Sequence, residues 1–162
     1  MYLNCHSYHS LRYGTIPLAD LVQLAVQSHV KAMALTDINT VTGIYDFIKE
    51  CEAANIKPVV GIEFRYNNKL LYIGLAKNAK GLAEMNRFLT KHNFDGTPLP
   101  NCAPEFKNVT VIYPIENAPD KNSHLEFLGI RPEQLSLLFH AKWKKKKKKM
   151  VVLQPVTFRT KK

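Results

Sequence analysis

Cysteine is scarce and shows no pairing pattern: Cys5, Cys51 and Cys102 are odd in number and lack Cys-x-x-Cys spacing. That argues against a disulfide framework and a cysteine-built zinc site, and fits reduced thiols in a cytosol. No apolar run approaches the ~20 residues that cross a bilayer. Met1-Tyr2-Leu3-Asn4 lacks the charged and apolar regions of a signal peptide. The expectation is a cytoplasmic protein with no membrane contact. Glycine is sparse as well, and none of the seven forms the clustered loop that cradles phosphates. No internal repeat occurs.

What is present is the make-up of a globular domain, 46% hydrophobic and 22% charged over 162 residues, long enough to bury a core. The net charge of +10 suggests a nucleic-acid partner until it is located. Lys144 to Lys149 supply six of those charges, which leaves +4 on the rest. The run reads as a solvated segment without helix or strand, as a phosphate-contacting tract, or as a stretch foreign to the natural domain. In any case a lysine homopolymer binds phosphate by charge alone, so DNA contact through it is expected to be weak and insensitive to sequence.

Strand and helix signals alternate along the first part. Tyr2–Cys5 reads as a strand, with Thr15 as N-cap and Pro17 in the first turn of a helix carrying Leu18, Leu21, Val22, Ala25 and Val26 on one face. Lys31–Leu35 reads as a second strand, Gly43–Ala54 as a helix and Lys57–Phe64 as a third strand. Asn67-Asn68 marks a hairpin turn, since paired asparagines tolerate positive φ. Leu70–Ala76 returns as a strand, and Lys80–Leu89 is helical. A Pro-rich connector over 94–108 leads to strands at Val109–Tyr113, Glu126–Ile130 and Met150–Val156, with a short helix at Pro132–Phe139. Strand–helix–strand units of this length imply an α/β fold with mostly parallel strands. Residues 1–93 form the clear core, and 94–162 continue the same domain with extra strands and the lysine segment.

In parallel α/β folds, chemistry collects at the C-terminal ends of strands. His6, Asp37 and Glu63 fall there in succession, and Asn4 shares a strand face with His6 because the two are two residues apart. Such a set suits a metal or a phosphate-bound metal pair. It equally suits a hydrogen-bonded strand-end histidine, a turn aspartate and a glutamate paired to Lys or Arg. Cys5 faces away from His6, so the two are not a catalytic pair. His9, His29, His92, His124 and His140 have no ligand spacing.

Four segments carry a family resemblance. They are Leu3-Asn4-Cys5-His6-Ser7 with His9 through Gly14, Ala34 through Asn39, Ile56 through Phe64, and Leu75 through Leu82. Together they resemble the polymerase-and-histidinol-phosphatase (PHP) domain at the N-terminus of bacterial DNA polymerase III alpha subunits, closely to about residue 90. The resemblance implies a distorted (β/α)7 barrel, partial and truncated here, and in active members a metal cluster that hydrolyses phosphoesters. Asn4, Tyr13, Ile38 and Leu71 stand where that pattern expects metal ligands, so only His6 and Glu63 survive as vestigial ligands, with Asn4 and Asp37 lining the pocket. An isoleucine and a leucine cannot donate to a metal, and an amide oxygen is a poor replacement for imidazole. Further ligands of the family would lie beyond Lys162.

The resemblance therefore implies a non-catalytic scaffold that holds no cofactor, inside a parent that transfers nucleotides to a DNA 3′ end using magnesium. Its partners would be the rest of the polymerase alpha subunit and a proofreading exonuclease. The alternatives are a stand-alone metal-dependent phosphoesterase with an unusual ligand set and a nucleic-acid-binding module resting on the lysine run. Truncation also implies a bare parallel edge on the sheet.

Overall fold

The structure, a computed structural model, describes residues 1–119, 126–139 and 147–157. Along them run β1 (Tyr2–Cys5), α1 (Leu18–Gln27), β2 (Ala32–Leu35), α2 (Ile44–Ala53), β3 (Lys57–Tyr66), β4 (Lys69–Ala76), α3 (Ala79–Asp95), β5 (Val109–Pro114), β6 (Glu126–Ile130) and β7 (Met150–Val152). Each helix forms where apolar residues recur on one face: Leu18, Leu21, Val22 and Ala25 in α1, Ile44, Phe47 and Cys51 in α2, Met85 and Leu89 in α3. Asn78 caps α3 by accepting from the Gly81 N–H at 3.1 Å. Gly96 ends it in the left-handed conformation at φ 61°.

Several elements depart from expectation, each for a local reason. Pro17, not Thr15, is the N-cap of α1, and it makes no side-chain cap bond. Thr15 instead turns its backbone N–H toward the Thr157 carbonyl at 3.4 Å. Pro132–Phe139 is a 3-10 rather than an α-helix, because none of its residues is buried to anchor an apolar face. Lys147–Lys149 form a 3-10 turn that leads directly into β7, so the lysine run is not wholly without structure. Lys144–Lys146 lie outside the described residues.

The seven strands form one sheet in sequence order. The β1–β2, β2–β3, β5–β6 and β6–β7 pairs are parallel, whereas β4 runs antiparallel to both β3 and β5. The β3–β4 hairpin turns on Asn67 and Asn68, both at positive φ as a tight hairpin requires. The sheet curls until its ends meet. β7 stops at Val152, Pro155 has no N–H to extend a ladder, and Val156 then pairs with β1. Two backbone hydrogen bonds make that join, Val156 N–H to the Asn4 carbonyl and His6 N–H to the Val156 carbonyl, both 2.9 Å. At Cys5 the β1 edge is thus met by the chain's own residue 156.

Alternation along the strands sorts the core. Cys5, Met33 and Leu35 face outward and pack with Leu21, Phe47 and Cys51 of the helices. Phe64, Tyr72 and Tyr113 pack outward with Met85 and Leu89 of α3. Ala34, Ile73, Leu75, Ile112 and Leu153 fill the concave side. No helix among the described residues is long and apolar enough to cross a membrane.

Candidate functional site

The concave face changes character along the strands, from apolar to polar at the C-terminal ends of β1, β2 and β3. Asn4 and His6 share the inner face of β1 by period-two alternation, and Glu63 and Arg65 share that of β3. Gly14 lets the loop after β1 fold back tightly, because a Cβ there would lie 1.9 Å from the Ser7 carbonyl oxygen.

Glu63 is fully buried and its carboxylate faces three donors. Its Oε2 lies 3.0 Å from Asn4 Nδ2 and 3.0 Å from His6 Nε2, while its Oε1 pairs with Arg65 Nε. Burial pushes the carboxyl pKa up, but the His6 hydrogen bond and the nearby His6 and Arg65 outweigh it and hold the group below 4.5. An ionised carboxylate only accepts, so His6 carries its proton on Nε2 toward Glu63. Its Nδ1 pairs with the Thr157 hydroxyl at 3.1 Å, accepting from it in the neutral ring and donating to it in the imidazolium. Asn4 is oriented by Thr36, whose hydroxyl donates to Asn4 Oδ1 at 2.8 Å and leaves the amide N–H for Glu63.

Arg65 is placed by its own supports. The β3–β4 register shifts between Phe64 and Arg65, and Asn39 clamps that irregular backbone with both amide atoms. Its Oδ1 accepts from Arg65 N–H at 2.9 Å and its Nδ2 donates to the Arg65 carbonyl at 2.8 Å. The guanidinium lies 4.1 Å from the centre of the Tyr13 ring, a cation–π distance. Tyr13 in turn meets the His6 ring edge-on at 5.3 Å. Burial lowers the Arg65 pKa, but Glu63 and Tyr13 raise it further, so the group stays charged.

Asp37 belongs to a neighbouring cluster. Its carboxylate accepts from Ser7 N–H, Ser7 Oγ and Ser10 Oγ, all at 2.7 Å, and Ser10 Oγ accepts from Ile38 N–H at 3.0 Å. Its carboxylate therefore ties down the loop after β1 and makes no hydrogen bond to the His6 or Glu63 side chain, while its backbone carbonyl accepts from Glu63 N–H at 3.2 Å. Of the residues singled out from sequence, Asn4, His6 and Glu63 come together and Asp37 stands beside them. Arg65, Thr36, Asn39 and Thr157 were not singled out. Arg65 was within reach, since the alternation that pairs Asn4 with His6 also puts it on the face of Glu63. Thr157 carried no signal, because only the closing join of the sheet brings it there.

These donors do not suit a metal ion. Cation ligands must offer lone pairs, whereas Asn4, His6 and Arg65 all point protons at the one carboxylate. Ile38 and Leu71 offer no donor atom, and Leu71 is buried in the apolar cluster beneath α3. Among the described residues no three His, Cys, Asp or Glu side chains converge as a metal would need. Cys5 cannot serve as a nucleophile either. Burial, with Asp37 and Cys51 adding to it, pushes its thiol up to about 12.

The chain is 35% identical over 83 residues to a DNA polymerase III subunit alpha of Ureaplasma parvum serovar 3, which spans 51% of this chain and 8% of that protein. It is 38% identical over 87 residues to the DNA polymerase III subunit alpha of Staphylococcus aureus strain Mu50, 52% of this chain and again 8% of the relative. Among solved structures, an amidohydrolase from Chromobacterium violaceum aligns at 17% identity and TM-score 0.46, covering 59% of this chain and 34% of its own. A candidate metal-dependent phosphoesterase from Bifidobacterium adolescentis aligns at 15% identity and TM-score 0.43, covering 57% and 32%. The family model described as the PHP domain matches residues 3–127, and with the strand-end histidine and glutamate in place the chain belongs to the PHP domain family.

Proposed function

We propose that this PHP domain is a non-catalytic framework at the N-terminus of a bacterial DNA polymerase III alpha subunit. The observation that carries the reading is the saturation of Glu63: the surviving acid is used up by Asn4, His6 and Arg65 within the protein. The identity of 35% and 38% to polymerase alpha subunits over about half of this chain supports the choice of parent. In this reading nucleotide transfer to a DNA 3′ end, with its magnesium, belongs to a palm domain elsewhere in the parent. The domain gives the polymerase body a rigid surface to pack on and a proofreading exonuclease a surface to dock on, in the cytoplasm. Lysines of the run from Lys144 to Lys149 add weak, salt-sensitive contact to phosphates.

Elemental analysis after dialysis, together with turnover of a generic phosphoester in added manganese or zinc, tests the framework half. The expected result is no retained metal and no turnover. Stoichiometric metal, with turnover lost in His6→Ala or Glu63→Gln, would overturn it in favour of a phosphoesterase. The reading frame past the Lys162 codon tests the parent, which requires an aspartate set of palm-domain type downstream.

A further inference from the structure

A metal site and the cluster around Glu63 are opposite arrangements of the same kinds of group. In the first, lone pairs converge on a cation. In the second, N–H protons converge on an anion, and the positive charge comes from the chain. His6 cannot turn Nε2 into a ligand without giving up its proton to Glu63's neighbourhood or flipping its ring. A flip would leave Thr157 unpartnered on the other side. Asn4 cannot present its oxygen without breaking the Thr36 bond.

We propose that the Arg65 guanidinium is a resident cation, which takes the carboxylate oxygen of Glu63 that a divalent ion would need and so keeps the site shut to metals. The placement is built rather than incidental. Asn39 pins the Arg65 backbone at two points, the strand register shifts there, and the Tyr13 ring carries the guanidinium. Tyr13 thus acts with Arg65, where an aromatic face holds the cation that an acidic residue would otherwise hold. Arginine carries its charge at every physiological pH, so exclusion does not relax as pH changes. The proposal deepens the framework reading and rests on it, and it gives His6 and Glu63 a place side by side that needs no metal.

Visible absorption on titration with cobalt(II) chloride tests it, in the unaltered chain, Asn4→His, Arg65→Ala and the double Asn4→His/Arg65→Ala. Asn4→His supplies a second imidazole, and Arg65→Ala frees the carboxylate. The expected result is ligand-field bands in the double variant, with cobalt bound roughly ten- to a hundred-fold more tightly than by Asn4→His alone. Equal binding by Asn4→His and the double variant would overturn the proposal, as would a folded double variant that binds no cobalt. Should Arg65→Ala not fold, Arg65→Met keeps the packing on Tyr13 without the charge and is judged by the same comparison. A second measurement needs no variant: manganese(II) should leave the His6 imidazole resonances of the unaltered chain unbroadened, and broadening would overturn the exclusion. Phosphoesterase turnover by the unaltered chain with cobalt absent from Glu63 would fault the framework reading and leave the role of Arg65 standing.

Discussion

The Nδ1 atom of His6 lies 3.1 Å from the Thr157 hydroxyl, across a separation of 151 residues. Both groups are buried, so the bond ties the first strand to the last described residue at the point where the sheet meets itself. Thr157→Val keeps the shape and removes the hydroxyl, leaving a buried imidazole nitrogen unsatisfied. The expected loss is about 1–3 kcal/mol in denaturant unfolding. Thr157→Ser should recover most of it. The 15N chemical shifts of His6 should report a proton on Nε2 in the unaltered chain.

Glu63 makes stability depend on acid. Its folded pKa lies below the ordinary 4.5, so its contribution is complete above that value and is lost as pH falls through the folded value. Glu63→Gln leaves Arg65 facing a neutral amide, and should cost about 3–5 kcal/mol near neutral pH. The gap between the two proteins should narrow steadily as pH drops below 4.5. Thermal melts from pH 7 to pH 3 check this, and a gap that widens toward acid would contradict it.

Tyr72 points the other way in sign. It is fully buried, and its hydroxyl has no hydrogen-bond partner among the described residues. Burial drives its pKa upward, with Tyr113 and Cys102 adding to the effect. Tyr72→Phe removes an unpaired polar group while keeping the ring against Phe64 and Tyr113. It should be neutral or stabilise the fold by up to about 1 kcal/mol, measured by chemical unfolding.

The three thiols should separate cleanly. Cys5 and Cys51 are buried, and Cys102 is exposed. Burial raises Cys5 to about 12 and Cys51 to about 11, with Glu50 adding to the second. Titration with a chromogenic disulfide at pH 8 should show one fast equivalent in the folded chain, lost in Cys102→Ser, and all three after unfolding.

The strands and helices of the first ninety residues were legible because each is specified locally. Leu18, Leu21, Val22 and Ala25 repeat at helical spacing, Asn67-Asn68 suits a tight hairpin, and Asn4 with His6 must share a face of any strand. The later part was less legible. Pro132–Phe139 has apolar residues but nothing that buries them, and the strand read to Val156 breaks at Val152 because the chain crosses from β6 to β1.

The sequence by itself determined the alternating α/β pattern, the shared face of Asn4 and His6, the strand-end place of Glu63, and the apolar residues at Ile38 and Leu71. These follow from period and residue type, which are properties of neighbours along the chain. The tertiary structure alone decided that Glu63 faces three donors, that Arg65 supplies the positive charge, and that Asp37 serves the loop instead. It also brought Thr157 to His6. Those outcomes depend on curling the sheet until β1 meets Val156 and on a register shift beside Arg65. The first is set by packing between segments far apart in the chain, where no local rule reaches; the second lies within the β3–β4 hairpin but is held by Asn39 from another segment.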